Sequence, residues 1–222
     1  MYHNLLFIWI PKCCGSTISD YYNLNCQINN LNNFKYNFYN NTNITFGHSD
    51  INILKKNNII SNEFYNNSFK FCIVRNPYCR TVSLYNYLKY NRKVAKTLRI
   101  PNSFSFKTFI QYLYHKIKRI PKISEKNIEV YEYINSMWNP MSNWIPDDIN
   151  KIYYFEDGLQ SIINDINKNM KFSKKIKKIK KINATKHEYY YKYYDKSTLH
   201  MVYEIYKDDF IRFNYPKLIL KK

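Results

Sequence analysis

The chain has 222 residues, 45% hydrophobic and 18% aromatic, with 35 Lys and Arg against 16 Asp and Glu for a formal charge of +19. That length buries a core without disulfides or a structural metal, and the aromatic content excludes a wholly disordered chain. Three glycines exclude collagen-like and propeller architectures, while the charge calls for an anionic partner without choosing among nucleic acid, lipid surface, polyanionic glycan and phosphorylated cofactor.

Asn, Ile, Lys and Tyr are heavily used, and these are residues of A/T-rich codons. Part of the lysine count is therefore background spread over the surface, whereas a binding site concentrates charge. Cys13, Cys14, Cys26, Cys72 and Cys79 are odd in number and show neither C-x-x-C nor zinc spacing. They read as thiols of a reducing compartment or as a few incidental thiols. No apolar run approaches the roughly 18–20 residues of a membrane span. The N-terminus, MYHNLLFIWIPK, lacks the basic region and cleavage site of a signal peptide. The expectation is a cytoplasmic protein.

In chain order, Leu5 to Ile10 is a continuous apolar run stopped by Pro11, the pattern of a strand buried on both faces. A short turn leads to a predicted helix over Ser16 to Tyr22. Residues 23 to 45 are Asn-rich and irregular, a surface excursion around a short strand. Phe69 to Val74 is a second buried strand, and Pro77 is placed to start a helix running to about Tyr90. Val82, Tyr85 and Leu88 share one face of that helix, and Ser105 to Lys118 is a further amphipathic stretch. Lys151 to Phe155 is a third strand. After Gly158, Leu159, Ile162, Ile163 and Ile166 form the stripe of a core-facing helix. A last helix is predicted over Ser197 to Phe213, burying Leu199, Val202, Tyr206, Phe210 and Phe213. Strands alternating with helices imply a parallel sheet covered on both sides, an α/β sandwich. No repeat or linker interrupts it, so residues 1 to 222 read as a single domain.

Two turns carry chemistry. Between the first strand and its helix lies Ile10-Pro-Lys-Cys-Cys-Gly-Ser-Thr-Ile18. Amides at a helix N-terminus, the hydroxyls of Ser16 and Thr17 and the charge of Lys12 make an anion cradle, and Gly15 would allow close backbone approach. The order is not that of a Walker A loop, because Lys12 precedes the glycine. After the second strand, Arg75 stands at the carboxyl end, where open α/β sheets bind ligands. Ser83 follows eight residues later, and both can reach one phosphate, Arg75 by its fork and Ser83 by its hydroxyl.

IPKCCGST resembles the 5′-phosphosulfate loop, and VRNPYCRTVSLYNYL the 3′-phosphate element, of sulfotransferases that use 3′-phosphoadenosine 5′-phosphosulfate (PAPS). The likeness is to the carbohydrate group containing the heparan sulfate 2-O-sulfotransferases. FGHSD is similar to that group's Gly-His segment, WNPMSNWI with KIYYFEDGL to its later strand, and INATKHEYYYKYYD with VYEIYKDDFIRFNYPK to its C-terminal region. One departure stands out: Cys14 occupies a position where Gly or another small residue is usual.

The resemblance implies a P-loop-like three-layer sandwich with a central, mainly parallel sheet flanked by helices. It implies transfer from PAPS to a hydroxyl, with 3′,5′-adenosine bisphosphate as product and no metal. Cys13, Cys14, Gly15, Ser16 and Thr17 would hold the 5′-phosphate, and Lys12 the charge developing on the leaving group. Arg75 and Ser83 would hold the 3′-phosphate. His48 would accept the hydroxyl proton, and Thr185 and Lys186 fall where the family closes a loop over the nucleotide. The implied partners are PAPS and a carbohydrate hydroxyl, with no specific nucleic acid.

Lys174 to Ile182 (KKIKKIKKI) reads either as a solvated basic segment or as a rim that steers anions. Tyr189 to Tyr194 read as packing ahead of a stacking platform, Trp138 and Trp144 as packing ahead of lining for an acceptor cleft, and Glu156 as structural. Two other readings stay open on the residues alone. A nucleotide kinase would explain a phosphate turn but not the lysine order. A nucleic-acid-binding protein would explain the charge but not two separated turns.

Overall fold

The structure is a computed structural model that describes residues 4–22, 24, 44–45, 51, 55, 60–97, 100–101, 103–119, 137–171, 179 and 188–220. The chain divides into two compact units. One comprises Met1–Val74 and Asn143–Ala184, the other Arg75–Ser142 and Thr185–Lys222.

The first unit is built on a parallel sheet. Its strands are β1 (Asn4–Ile8), β2 (Ile44–Thr45), β3 (Ser68–Val74) and β4 (Lys151–Tyr154), in the order β2-β1-β3-β4. Val74 pairs with Tyr154, so β3 and β4 end in step, whereas Ile8 pairs with Cys72 and β1 ends short of them. Every residue of β1 and β3 is buried. Side chains alternate across a strand, so both sheet faces are covered, as the continuous apolar runs require. Phe7 stacks on Phe71 across the ladder with ring centroids 4.9 Å apart, and Tyr153 meets Phe71 edge-on at 5.9 Å.

Lys70 breaks the apolar run of β3 yet is only 5% exposed. Its ammonium lies 3.4 Å from the Asp148 carboxylate and over the Tyr65 ring, 4.5 Å from the centroid. A charge is tolerated there because it is paired and rests on an aromatic face. Burial works against ionised Asp148, but the Tyr65 hydroxyl and Lys70 outweigh it and hold the carboxyl below its ordinary range.

Helices flank the sheet. The helix α1 (Gly15–Tyr22) follows β1, the short α2 (Asn62–Asn66) precedes β3, and a helix over Leu159–Met170 follows β4. The last buries Ile162, Ile163, Ile166 and Met170. The expected stripe is present, shifted so that Leu159 in the first turn is only half-buried. The Tyr22 hydroxyl donates to the Ile163 carbonyl (3.3 Å) and to Asn167 Oδ1 (3.0 Å), joining α1 to it. The result is the mixed α/β architecture with a parallel sheet flanked by helices that the alternation of elements predicts, consistent with a P-loop-like sandwich.

The second unit is helical. Its helices are α3 (Pro77–Tyr90), α4 (Arg92–Thr97), α5 (Phe106–Arg119), α7 (Lys196–Ile205) and α8 (Lys207–Arg212), the label α6 belonging to Leu159–Met170 of the first unit. Asn76 Oδ1 accepts from the Tyr78 and Cys79 amides at the start of α3, and Pro77 sits in its first turn. Val82, Tyr85 and Leu88 are buried as the spacing predicts, together with Phe109, Ile110 and Leu113 of α5. Trp138 is wholly buried and Trp144 5% exposed, so both tryptophans pack in cores.

The single helix predicted over Ser197 to Phe213 is two. The break falls at Tyr206, whose φ of −114° and ψ of 26° leave the helical region. Its cause lies in the segment Met137–Ser142. The Tyr206 hydroxyl donates to the Trp138 carbonyl at 2.8 Å. Asp209, wholly buried, accepts from the Met141 and Ser142 amides at 2.8 Å each. Arg80 of α3, 2% exposed, donates to the Met137 and Asn139 carbonyls at 3.0 Å each. Three buried side chains thus bond the backbone of one partly buried irregular segment, whose polar groups need partners. Burial pushes the Asp209 carboxyl up, against the pull of Arg80 and the two amides.

Candidate functional site

The sheet order itself marks a place for a ligand. From β1 the chain crosses to β2 on one side and then returns to β3 on the other. Such a reversal is a topological switch point, where open α/β sheets bind ligands at the carboxyl ends of their strands. The two turns singled out in the sequence follow the two strands that flank it. Lys12 to Thr17 succeed β1, and Arg75 is the residue directly after β3.

In the first turn, Lys12 has φ 68° and Cys14 has φ 59°. Both lie in the left-handed region, which costs a non-glycine residue about 1–2 kcal/mol. The left-handed Cys14 is followed at once by the right-handed α1, a change of hand of the kind from which anion-binding nests are built. The helix dipole adds positive potential at the same end. Glycine would adopt this φ without the steric cost that Cys14 bears there.

The structure narrows the cradle. The Cys13 amide donates to the Ile10 carbonyl (3.4 Å) and the Thr17 amide to the Cys14 carbonyl (3.0 Å), so these two hold the turn together. Cys13 is 1% exposed, its thiol directed to the Pro11 carbonyl at 3.6 Å. Thr17 is 4% exposed, whereas Lys12, Cys14 and Ser16 remain partly exposed. Of the two hydroxyl residues, Ser16 is the one open to solvent.

Gly15 has a role the sequence did not reveal. A Cβ there would stand 1.9 Å from Trp9 Nε1 and 2.2 Å from Trp9 Cδ1. The indole fills the space a side chain would take, so packing of Trp9 demands this glycine. Gly15→Ala is expected to destabilise the fold by roughly 1–3 kcal/mol through overpacking, and Trp9→Ala to remove most of that penalty in the double variant. Urea unfolding of the four proteins gives the coupling, and independent, additive effects would show that the indole is not the obstacle.

In the second turn the Arg75 guanidinium donates to Cys79 Sγ, from Nε at 3.3 Å and from Nη2 at 3.1 Å. Ser83 is 9% exposed and stands four residues beyond Cys79, one turn along the same face of α3. Arg75, which precedes the helix, thus reaches with its guanidinium the face of α3 that carries Cys79 and Ser83. His48, Thr185, Lys186 and the basic run 174 to 182 (Ile179 apart) lie outside the described residues. Glu156 lies exposed in a 3-10 turn over Phe155–Asp157. Tyr194 is buried, while Tyr189 and Tyr191 are exposed and stack on each other at 5.9 Å. Packing thus accounts for only part of the tyrosine cluster. The buried Arg80–Asp209 arrangement was not foreseen, although Asp209 is three residues after Tyr206 and seven after Val202, on the buried stripe.

Among the described residues no group of three or more His, Cys, Asp and Glu side chains is clustered to hold a metal ion. No described helix is long and apolar enough to cross a membrane. Searches of curated proteins and of solved structures give no match. A model of the sulfotransferase family, however, matches residues 2–216, nearly the whole chain and both turns. That span takes in the strand-turn-helix after β1 and the turn after β3, and the chain belongs to the sulfotransferase family 2.

Proposed function

We propose that this sulfotransferase takes its sulfuryl group from PAPS and delivers it to a hydroxyl of a carbohydrate. The family implies PAPS as donor. The observation that carries the reading is the turn after β1, in which two non-glycine residues are held in the left-handed region directly before a helix N-terminus. Strain of this kind persists only where the surroundings enforce it, and it clusters at ligand sites.

When bound, PAPS supplies the sulfuryl group and a phosphate leaving group. The N-terminal end of α1, with Ser16, receives the 5′-phosphate, and Lys12 places a point charge beside it. Arg75, with a planar fork suited to phosphate, and Ser83 take the 3′-phosphate, which distinguishes PAPS from ATP-like donors. Thr185 and Lys186 complete the nucleotide contacts. His48 takes the acceptor's proton, a task suited to imidazole with an unperturbed pKa of about 6.5.

Calorimetry with 3′,5′-adenosine bisphosphate tests the donor assignment. Saturable binding is expected, and at a hundredfold excess over Kd it raises unfolding stability by about 2.7 kcal/mol. No binding and no stability change, alongside tight and steeply salt-dependent association with DNA, would sink the donor reading in favour of a nucleic-acid partner. Labelled PAPS offered to a panel of glycans, glycosaminoglycans and small alcohols then tests the carbohydrate acceptor.

A further inference from the structure

We infer that Cys79 is a positioning residue for Arg75, fixing the orientation in which its guanidinium meets the donor's 3′-phosphate. The inference deepens the proposed function and rests on its assignment of Arg75. Arginine has a long stem with several rotatable bonds, and each must be fixed before a fork can engage a phosphate. Here sulfur does part of the fixing. Nε and Nη2, the two donors of one guanidinium edge, both bond to the single Sγ atom, at 3.3 and 3.1 Å. Because the guanidinium is planar, anchoring one edge sets the plane and direction of the rest.

The sulfur is itself held in place. Cys79 lies in the first turn of α3, its amide bonded to Asn76 Oδ1 at 3.3 Å, with Pro77 fixing the backbone between them. The Arg75 amide donates to Met141 Sδ at 3.4 Å. Backbone and guanidinium of Arg75 are thus each tied to a sulfur. Ser83, the other residue assigned to the 3′-phosphate, stands one turn beyond Cys79 on the same face. Cys79 therefore lies along the helix between the two groups it would coordinate in action.

The test compares full-length wild type, Cys79→Ala, Cys79→Ser and Arg75→Ala by calorimetry, using 3′,5′-adenosine bisphosphate and AMP, which lacks the 3′-phosphate. Cys79→Ala is expected to weaken the bisphosphate by about three- to tenfold, the effect of releasing one ordered side chain, with AMP affinity unchanged. Cys79→Ser, which keeps an acceptor, is expected to restore most of the loss. In an Arg75→Ala background, Cys79→Ala should have no further effect. If Arg75→Ala lowers the bisphosphate-to-AMP preference and Cys79→Ala does not, the positioning role is overturned. An equal loss for both ligands in Cys79→Ala overturns it too, since packing alone would do that. If Arg75→Ala leaves the preference intact, the 3′-phosphate assignment fails, and this inference with it.

Discussion

Lys12→Ala is expected to lower kcat for sulfuryl transfer by about 10²–10³-fold, the range seen when one preorganised group facing developing charge is removed, with a much smaller change in affinity for 3′,5′-adenosine bisphosphate. The asymmetry follows from the role proposed for Lys12. As the sulfuryl group departs, negative charge grows on the oxygens joined to the 5′-phosphate, and an ammonium beside them acts most strongly in the transition state. Lys12→Arg is expected to recover only part of the rate, because a planar fork does not reproduce a compact point charge. Initial rates with labelled PAPS and a glycan acceptor, read beside calorimetry, separate the two effects. A Lys12→Ala protein with weak bisphosphate binding and normal kcat would move Lys12 from catalysis to ground-state binding. His48→Ala provides the second arm: full transfer in that variant would remove His48 as the base.

Asp209→Asn is expected to destabilise the protein by about 3–5 kcal/mol, the penalty for stripping the partner from a buried charge. The substitution keeps shape but replaces one carboxylate oxygen with an NH₂ group. That group would confront a Met141 or Ser142 amide that now donates to the carboxylate at 2.8 Å. Arg80, 2% exposed, would keep its two carbonyl partners but lose the nearby negative charge. Replacing Arg80 and Asp209 together with apolar residues is expected to lose less than the sum of the single changes. Urea denaturation midpoints at constant m report each difference. A loss below about 1 kcal/mol for Asp209→Asn would mean that the Met137–Ser142 segment holds its course without this carboxylate.

Much of the architecture was legible because burial on both faces writes itself as an unbroken apolar run. β1 and β3 were found that way, and Pro77 announced its helix. The break at Tyr206 was not legible. Leu199, Val202, Tyr206, Phe210 and Phe213 are all buried, so the periodicity reads the same with or without it. The cause is bonding to a segment more than sixty residues away, at Trp138, Met141 and Ser142. Lys70 illustrates a similar blindness, since its neighbours Tyr65 and Asp148 are assembled only by the fold.

At the site, residue types and their order located both turns, but not their conformation. Nothing in the letters Lys12 and Cys14 predicts positive φ, because residues other than glycine avoid it. Gly15 drew the expectation of close approach to an anion, whereas the neighbour that requires it is the Trp9 indole. The contact between Arg75 and Cys79 spans four residues, so its spacing was visible; the choice of sulfur as acceptor was not.

The second unit combines Arg75–Ser142 with Thr185–Lys222, and this bears on how the chain is made. A ribosome releases the Met137–Ser142 segment with its amides and carbonyls exposed, long before it adds the Tyr206 and Asp209 that bond them. During that interval Trp138 and the apolar faces of α3 and α5 have only part of their packing. Vectorial synthesis thus leaves this unit waiting for the segment Thr185–Lys222, and that interval is when a chaperone has the most surface to hold.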